Sequence, residues 1–132
     1  MKFFKLKTKD NVADYSILGI SSHENDYRLI WNINDKLGLS FTHCDNPINS
    51  NGNDFTCFED NEKGLLLVSN RCDNGFLFDK YKNLDFILKF EKNLDEAELS
   101  KWIHDLRKAP LVSAIFNIPI NKRIKGVLNL CC

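Results

Sequence analysis

The sequence predicts a single α+β domain, a two-layer sandwich with a mostly antiparallel sheet and two helices on one face, in the ferredoxin or ACT arrangement. A chain of 132 residues has the usual length of one domain. Two stretches show the helical period between start and stop signals, and shorter apolar runs of strand length surround them. Because neither an internal repeat nor a linker is visible, we expect one domain over residues 1–132.

The chain is predicted to open with a strand and a helix. "FFKLKTKD" (residues 3–10) alternates apolar residues with lysines, as a half-buried strand does. Ser21 and Glu24 have the spacing of a capping box, so the helix is predicted to begin there. Gly38 suits the left-handed cap that ends it. The predicted apolar face consists of Tyr27, Leu29, Ile30, Ile33 and Leu37.

Two amides of this helix have different predicted surroundings. Asn32 falls on the polar side with Arg28, which predicts exposure to solvent. Asn34 lies inside the apolar arc, where an amide must find hydrogen-bond partners. We therefore expect Asn34 to bond with the backbone of a neighbouring element.

Three strands are predicted in the middle of the chain. "LSFTHC" (39–44) and "DFTCFED" (54–60) are short strands separated by turn formers that include Asn-Gly. "GLLLVSN" (64–70) is a continuous apolar run, which is typical of a strand buried on both faces.

A fourth strand is predicted after an irregular segment, "RCDNGFLFDKYKN" (71–83). "LDFILKFE" (84–91) alternates between apolar and charged residues, which is the pattern of a strand with one wet face. Asp85, Lys89 and Glu91 are predicted to lie on that face.

A second helix and a strand are predicted to follow. Asn93 and Glu96 repeat the capping spacing, and Pro110 is predicted to end the helix. His104 falls on the wet face, and residues 111–118 read as a strand. The predicted core face consists of Leu99, Trp102, Ile103, Leu106 and Ala109.

Charge, targeting signals and cysteine content limit the classes of protein to which the chain can belong. Eighteen basic residues balance eighteen acidic ones, so the chain has no overall positive field that would attract nucleic acid or an anionic membrane. It shows neither a signal peptide nor a run of about 18 apolar residues, so we expect a cytoplasmic protein without a membrane span. Five cysteines without regular spacing are typical of free thiols in a reducing compartment.

The leading functional hypothesis is a small non-enzymatic binding or regulatory module for a partner protein or small effector. It is expected to form a homodimer through sheet edges. Its candidate site comprises Ser21, Ser22, His23 and Arg28 at a helix start, which favours anions, beside Asp85. The alternative for each residue is structural: a cap, a first turn, a solvated helix position or the wet side of a strand.

The second hypothesis is an RNA-associated accessory protein. Lys5 and Lys7 line one face of the first strand, and Lys122, Arg123 and Lys125 lie in one turn near the other terminus. If the termini are adjacent, these charges form a patch that follows phosphates. The alternative is a basic edge that keeps the sheet soluble.

Catalytic and metal chemistry receive less support. No cofactor is predicted, because the sequence contains neither a glycine-rich phosphate loop nor a nucleophile elbow. Cys44, Cys57 and Cys72 with His43 lack the spacing with which a local loop binds zinc, so no metal site is predicted. The alternative is a site that His43, Cys44 and Cys57 form across two adjacent strands. An enzyme that uses Cys44 or His43 remains the last-ranked hypothesis, with a lowered thiol pKa as its sign.

Several segments resemble the bacterial IPExxxVDY family over nearly the whole chain. The quoted stretches are "KLKTKD", "ILGISSH", "LLLVSN", "LDFIL" and "LRKAPLVSAIFNI". The most specific positions are Gly19, Ile20, Ser21, Ser22, His23, Asp26, Tyr27, Arg28, Leu29, Asn34, Leu37 and Gly38. The resemblance implies a housekeeping accessory role and carries no established activity.

The motif that names the family is degraded in this chain. Phe78, Asp79 and Lys80 stand where Ile, Pro and Glu are expected. In "LDF", residues 84–86, Asp85 is the single literal match to Val-Asp-Tyr. A role of the family's Glu therefore does not transfer to this protein.

Overall fold

The computed structural model describes residues 15–50, 52–73 and 75–118, and the predicted first strand (3–10) lies outside them. The described helices are α1 (Asp26–Leu37) and α2 (Glu96–Leu106). The described strands are β1 (Ser16–Ser21), β2 (Thr42–His43), β3 (Ile48–Ser50), β4 (Asn53–Phe55), β5 (Cys57–Asp60), β6 (Leu65–Ser69), β7 (Arg71–Cys72), β8 (Gly75–Phe76), β9 (Phe86–Phe90) and β10 (Ala114–Asn117). A short 3-10 helix, Asp79–Tyr81, precedes β9. The fold is α+β, as predicted.

A six-stranded sheet in the order β10-β1-β9-β6-β5-β2 forms the centre of the fold. Every neighbouring pair in it is antiparallel, which confirms the predicted strand direction. Two small hairpins, β3-β4 and β7-β8, stand apart from this sheet. The finer ferredoxin or ACT assignment stays a prediction.

Both helices pack on one face of the sheet. Leu18 and Ile20 of β1 share a core with Leu29 of α1 and Leu106 of α2. Leu99, Trp102 and Ile103 pack against that core, so the predicted apolar face of the second helix is confirmed. Because a helix in a protein is stabilised mainly by the packing of its apolar face, this burial holds the two helices on the sheet.

The opposite face of the sheet is also covered. Ile17 of β1 and Ile87 of β9 are buried against Phe55 of β4 and Leu77 of the loop that follows β8. Lys89 is buried, and its ammonium lies 4.9 Å from the centroid of the Tyr15 ring. The predicted wet face is therefore wrong at Asp85 and Lys89, because segments distant in sequence cover them, whereas Glu91, just after β9, is exposed as predicted.

The helix boundaries differ from the predicted ones by a few residues. Asn25 caps α1 by accepting a hydrogen bond from the Arg28 amide at 2.9 Å, while Ser21 ends β1. Asp95 caps α2 and forms a complete capping box with Glu98. Helix α2 ends at Leu106, before the proline that was predicted to stop it.

Asn34 confirms its predicted role. Its side-chain Nδ2 donates to the Phe41 carbonyl at 3.2 Å, and its Oδ1 accepts from the Phe41 amide at 2.9 Å. Gly38 has φ +66°, as a left-handed helix cap requires. Asn32, in contrast, is buried and accepts a hydrogen bond from the Leu111 amide, so its predicted exposure is wrong.

Strand β1 was not predicted, although it pairs on both sides, with β9 and with β10. Gly19 lies in its middle, where a Cβ would contact Leu84 and come within 2.8 Å of Ile118. A side chain at this position would therefore require the buried Leu84 and Ile118 side chains to shift. Among the described residues, neither helix is long and apolar enough to cross a membrane.

Candidate functional site

A cleft opens where β1 ends, α1 begins, and the ends of β6 and β9 meet. It has a volume of about 400 Å³, and Ser22, His23, Ser69, Arg71 and Asp85 contribute to its lining. We call it the Asp85 cleft. The register of the sheet creates it, because Ser69 pairs with Phe86 and so brings the end of β6 beside the start of β9.

The carboxylate of Asp85 is the most constrained polar group of the cleft. Its side chain is 11% exposed and pairs with the guanidinium of Arg71. Its Oδ2 accepts a hydrogen bond from the Ser22 amide at 2.7 Å. Because a buried charge is costly without partners, these two contacts account for the presence of an ionised group at this place.

Arg71 is the functional candidate that the sequence did not reveal. Its side chain remains 57% exposed although it pairs with Asp85, so donors of the guanidinium still face solvent. The Ser69 hydroxyl donates to the Arg71 carbonyl at 2.9 Å and fixes the backbone there. The segment was predicted to be irregular, and no local pattern indicates the pairing.

Asn70 organises the loop that ends at Asp85. It is fully buried, and its Nδ2 donates to the carbonyls of Tyr81 and Leu84, each at 2.9 Å. Its Oδ1 accepts from the Phe78 amide at 2.9 Å, and its own amide donates to the Asp85 carbonyl at 2.8 Å. Residues 77–84 form no strand, so the Asn70 side chain supplies hydrogen-bond partners that their backbone does not obtain from a sheet.

The predicted site residues are only partly brought together. Ser22, His23 and Asp85 line the same cleft. Ser21 lies beside it and donates its hydroxyl proton to the Asn83 carbonyl at 2.7 Å. Arg28 does not line the cleft, because its side chain lines a neighbouring depression, but its Nε pairs at 3.1 Å with Glu24 of the cleft lining.

A helix start was expected to favour anions, but most of the charged side chains that line the cleft are acidic. Three carboxylates, those of Glu24, Asp26 and Asp85, line it with the single guanidinium of Arg71. Arg28 pairs with Glu24 from outside the cleft, so three negative and two positive charges leave a local net charge of −1. The lining therefore favours a cationic or hydrogen-bond-donating ligand over an anion.

The neighbouring depression on α1 carries two exposed aromatic side chains. Tyr27 is 64% exposed and Trp31 is 70% exposed. With Arg28 they line a depression of about 450 Å³ that also reaches Leu111. We call Tyr27, Arg28 and Trp31 the α1 surface. The predicted burial of Tyr27 is therefore wrong.

Tyr27 contacts two neighbouring rings although it is exposed. Its ring stacks on His43 with centroids 6.2 Å apart and meets Phe58 edge-on at 5.7 Å. These contacts support the ring without covering it. A rigid aromatic side chain loses little conformational entropy when a partner binds.

Cys44 does not have the properties of a nucleophile. Burial raises the pKa of its thiol, and contacts with Cys57 and Glu59 raise it further. The thiol donates to Glu59 Oε2 at 3.4 Å. Since the thiolate is the reactive form, a raised pKa is the opposite of the sign expected for an enzyme that uses this residue.

Comparisons with known proteins leave the family open. No family model matches the chain, and neither a curated protein nor a solved structure is significantly similar to it.

Within residues 15–50, 52–73 and 75–118, no three His, Cys, Asp or Glu side chains are grouped as metal ligands. The predicted RNA-binding residues lie outside these ranges: Lys5, Lys7, Lys122, Arg123 and Lys125.

Proposed function

We propose that the protein is a small non-enzymatic binding module for a partner protein. The partner is expected to lay a basic segment along the α1 surface and into the Asp85 cleft. The two regions are continuous, because Arg28 of the α1 surface pairs with Glu24, which lines the cleft.

The exposed pair Tyr27 and Trp31 is the observation that carries this proposal. Tyrosine, tryptophan and arginine are enriched in protein interfaces and supply most binding hot spots. A monomer that exposes a tryptophan at 70% beside a tyrosine at 64% leaves a large apolar area in water. Covering that area with a partner is favourable by the hydrophobic effect.

The charge of the cleft supports a basic partner. Lysine and arginine side chains would meet the carboxylate of Asp26, while Glu24 and Asp85 already hold the guanidinium groups of Arg28 and Arg71 in this way. The same cations interact favourably with the face of an exposed tryptophan ring. Electrostatic complementarity of this kind sets specificity and the rate of association.

A cytoplasmic location and membership of the IPExxxVDY family are parts of the same proposal. Asp85, the literal match to the family's motif, supplies the buried carboxylate of the cleft. Its contacts with Ser22 and Arg71 support a positional role for that residue.

Affinity purification tests the proposal with three tagged chains: the wild type, Trp31→Ala and Lys82→Ala. Each chain is recovered from a lysate of the organism that encodes it, with and without ribonuclease. Lys82 is an exposed residue after the 3-10 helix and serves as the matched surface control. We expect one protein to be recovered with the wild type and with Lys82→Ala, and to be lost with Trp31→Ala.

The same experiment separates the two functional hypotheses. A partner that is recovered despite ribonuclease and lost with Trp31→Ala supports a protein-binding module. Recovery that is unchanged by Trp31→Ala would contradict the proposal. RNA, or proteins that leave on ribonuclease treatment, would favour the RNA-associated alternative.

A further inference from the structure

A second cavity, separate from the Asp85 cleft, opens between the C-terminal end of α1, the β5-β6 turn and α2. Its volume is about 590 Å³, which lies in the range of small-molecule sites. Leu37, Leu39 and Trp102 form its apolar part, and all three belong to the packing of the helix-side core. The cavity therefore combines a preformed apolar surface with access from solvent.

The charged rim of this cavity is predominantly basic. Lys36, Lys63, Lys101 and Lys108 line it with two acids, Glu98 and Asp105. Four positive and two negative charges leave a net charge of +2. We call it the lysine cavity. Its sign is opposite to that of the Asp85 cleft, so the two sites select different ligands.

The contacts of Asp105 indicate a positive electrostatic potential at the rim. Lys101 Nζ lies 3.3 Å from its Oδ2, and Lys108 Nζ lies 3.5 Å from its Oδ1. Burial alone would raise the pKa of this carboxyl, but the two lysines outweigh it and lower the pKa. A negative charge is thus stabilised at this rim.

Trp102 gives the apolar part a flat component. Its ring meets Phe90 edge-on with centroids 5.1 Å apart. Aromatic pairs of this kind are favourable and support this orientation of the ring. A planar ligand can pack against the indole in that orientation.

We propose that the lysine cavity binds a small aromatic anion, with its ring against Trp102 and its charge among the lysine ammonium groups. The ring would replace water on Leu37 and Leu39, which favours binding. Lys63 has no ion pair among the described residues, and Lys36 lies 4.0 Å from Asp35, at the limit of an ion pair, so these two rim lysines supply the charge for the anion.

Titration with 2-naphthoate tests this proposal on protein labelled with ¹⁵N-tryptophan. The chain contains two tryptophans, so the indole signal of Trp31 serves as an internal control for that of Trp102. We expect the Trp102 signal to shift saturably while the Trp31 signal stays in place. The neutral 2-naphthylmethanol and inorganic phosphate should each bind at least tenfold more weakly, because each lacks one of the two features.

Charge variants connect the binding to the rim. Lys36→Gln and Lys63→Gln should each raise the dissociation constant of 2-naphthoate about twofold to fivefold, as expected for exposed charges. Lys82→Gln, outside the cavity, should leave it unchanged. Equal binding of naphthylmethanol, a shift confined to Trp31, or no saturable shift at Trp102 would overturn the proposal. Tighter binding of octanoate than of naphthoate would overturn the aromatic assignment.

Discussion

The guanidinium of Arg71 pairs with the carboxylate of Asp85, whose other oxygen is held by a backbone amide. Removing the arginine leaves a buried negative charge with fewer partners. Arg71→Met is therefore expected to lower the free energy of unfolding by about 1–3 kcal/mol. The same substitution in an Asp85→Asn background should cost clearly less, because no charge remains to be neutralised.

Urea unfolding of the four proteins in this cycle measures the coupling between the two side chains. A non-additive result of at least about 0.5 kcal/mol is expected for residues in direct contact. Additive effects would mean that the ion pair does not form in solution.

Asn70 is expected to be the most sensitive polar position of the described fold. Asn70→Ala leaves the Phe78 amide and the Leu84 carbonyl without the partner that Asn70 supplies, and the Tyr81 carbonyl keeps only its bond from the Leu84 amide. We expect a loss of about 3–5 kcal/mol in unfolding free energy. Asn49→Ala is the matched control, since Asn49 is exposed and bonds only with Asp54 among the described hydrogen bonds. Similar losses in both variants would contradict the role of Asn70.

Gly19 is expected to resist any side chain. In Gly19→Ala the new methyl group would press against Leu84 and Ile118, at a cost of about 1–3 kcal/mol. Gly75→Ala should be nearly neutral, because the nearest atom to its Cβ is 3.9 Å away. Thermal unfolding of both variants distinguishes them, and a stable Gly19→Ala protein would show that β1 is packed more loosely.

The two faces of α2 should respond differently to truncation. Leu106 is buried in the helix-side core, so Leu106→Ala is expected to cost about 2–5 kcal/mol. Lys101→Ala, on the exposed face, should change stability by less than about 0.5 kcal/mol. If chemical denaturation gave equal small effects, α2 would not pack as described.

Asp105 should make stability depend on pH in the acid range. Its folded pKa is below the unfolded value of about 3.8, so its contribution is present above that pH. The contribution is lost as the pH falls through the folded pKa. NMR titration of the carboxyl should give a pKa below 3.8, and Lys101→Gln should raise it. An unchanged value in the variant would exclude that ion pair.

The elements that depend on local signals were predicted well. Gly38 forms the left-handed cap of α1, and the Asn34 side chain bonds with the backbone of Phe41. Both predictions are confirmed. The helix starts were misplaced because several short polar residues compete as caps. Asn25 and Asp95 hold the positions that had been assigned to Ser21 and Asn93.

The features that depend on distant segments could not be predicted in the same way. Burial of Lys89 and Asp85 requires the cover that Tyr15, the hairpins and residues 77–84 supply. Pairing of Arg71 with Asp85 requires the register between β6 and β9. The alternating pattern of β9 indicates which side chains share a face of the strand, but it does not indicate which segments pack on each face.

Photo-crosslinking in living cells tests the proposed function most directly. The crosslinking amino acid p-benzoylphenylalanine replaces Trp31 in one chain and Phe116 in another, Phe116 being an exposed aromatic residue of β10, the last strand on its side of the sheet among the described residues. We expect position 31 to capture one partner protein at a segment rich in lysine or arginine. Capture of a second copy from position 116 would identify the homodimer through sheet edges. Absence of protein crosslinks at position 31, or crosslinks only to RNA, would contradict a protein-binding α1 surface.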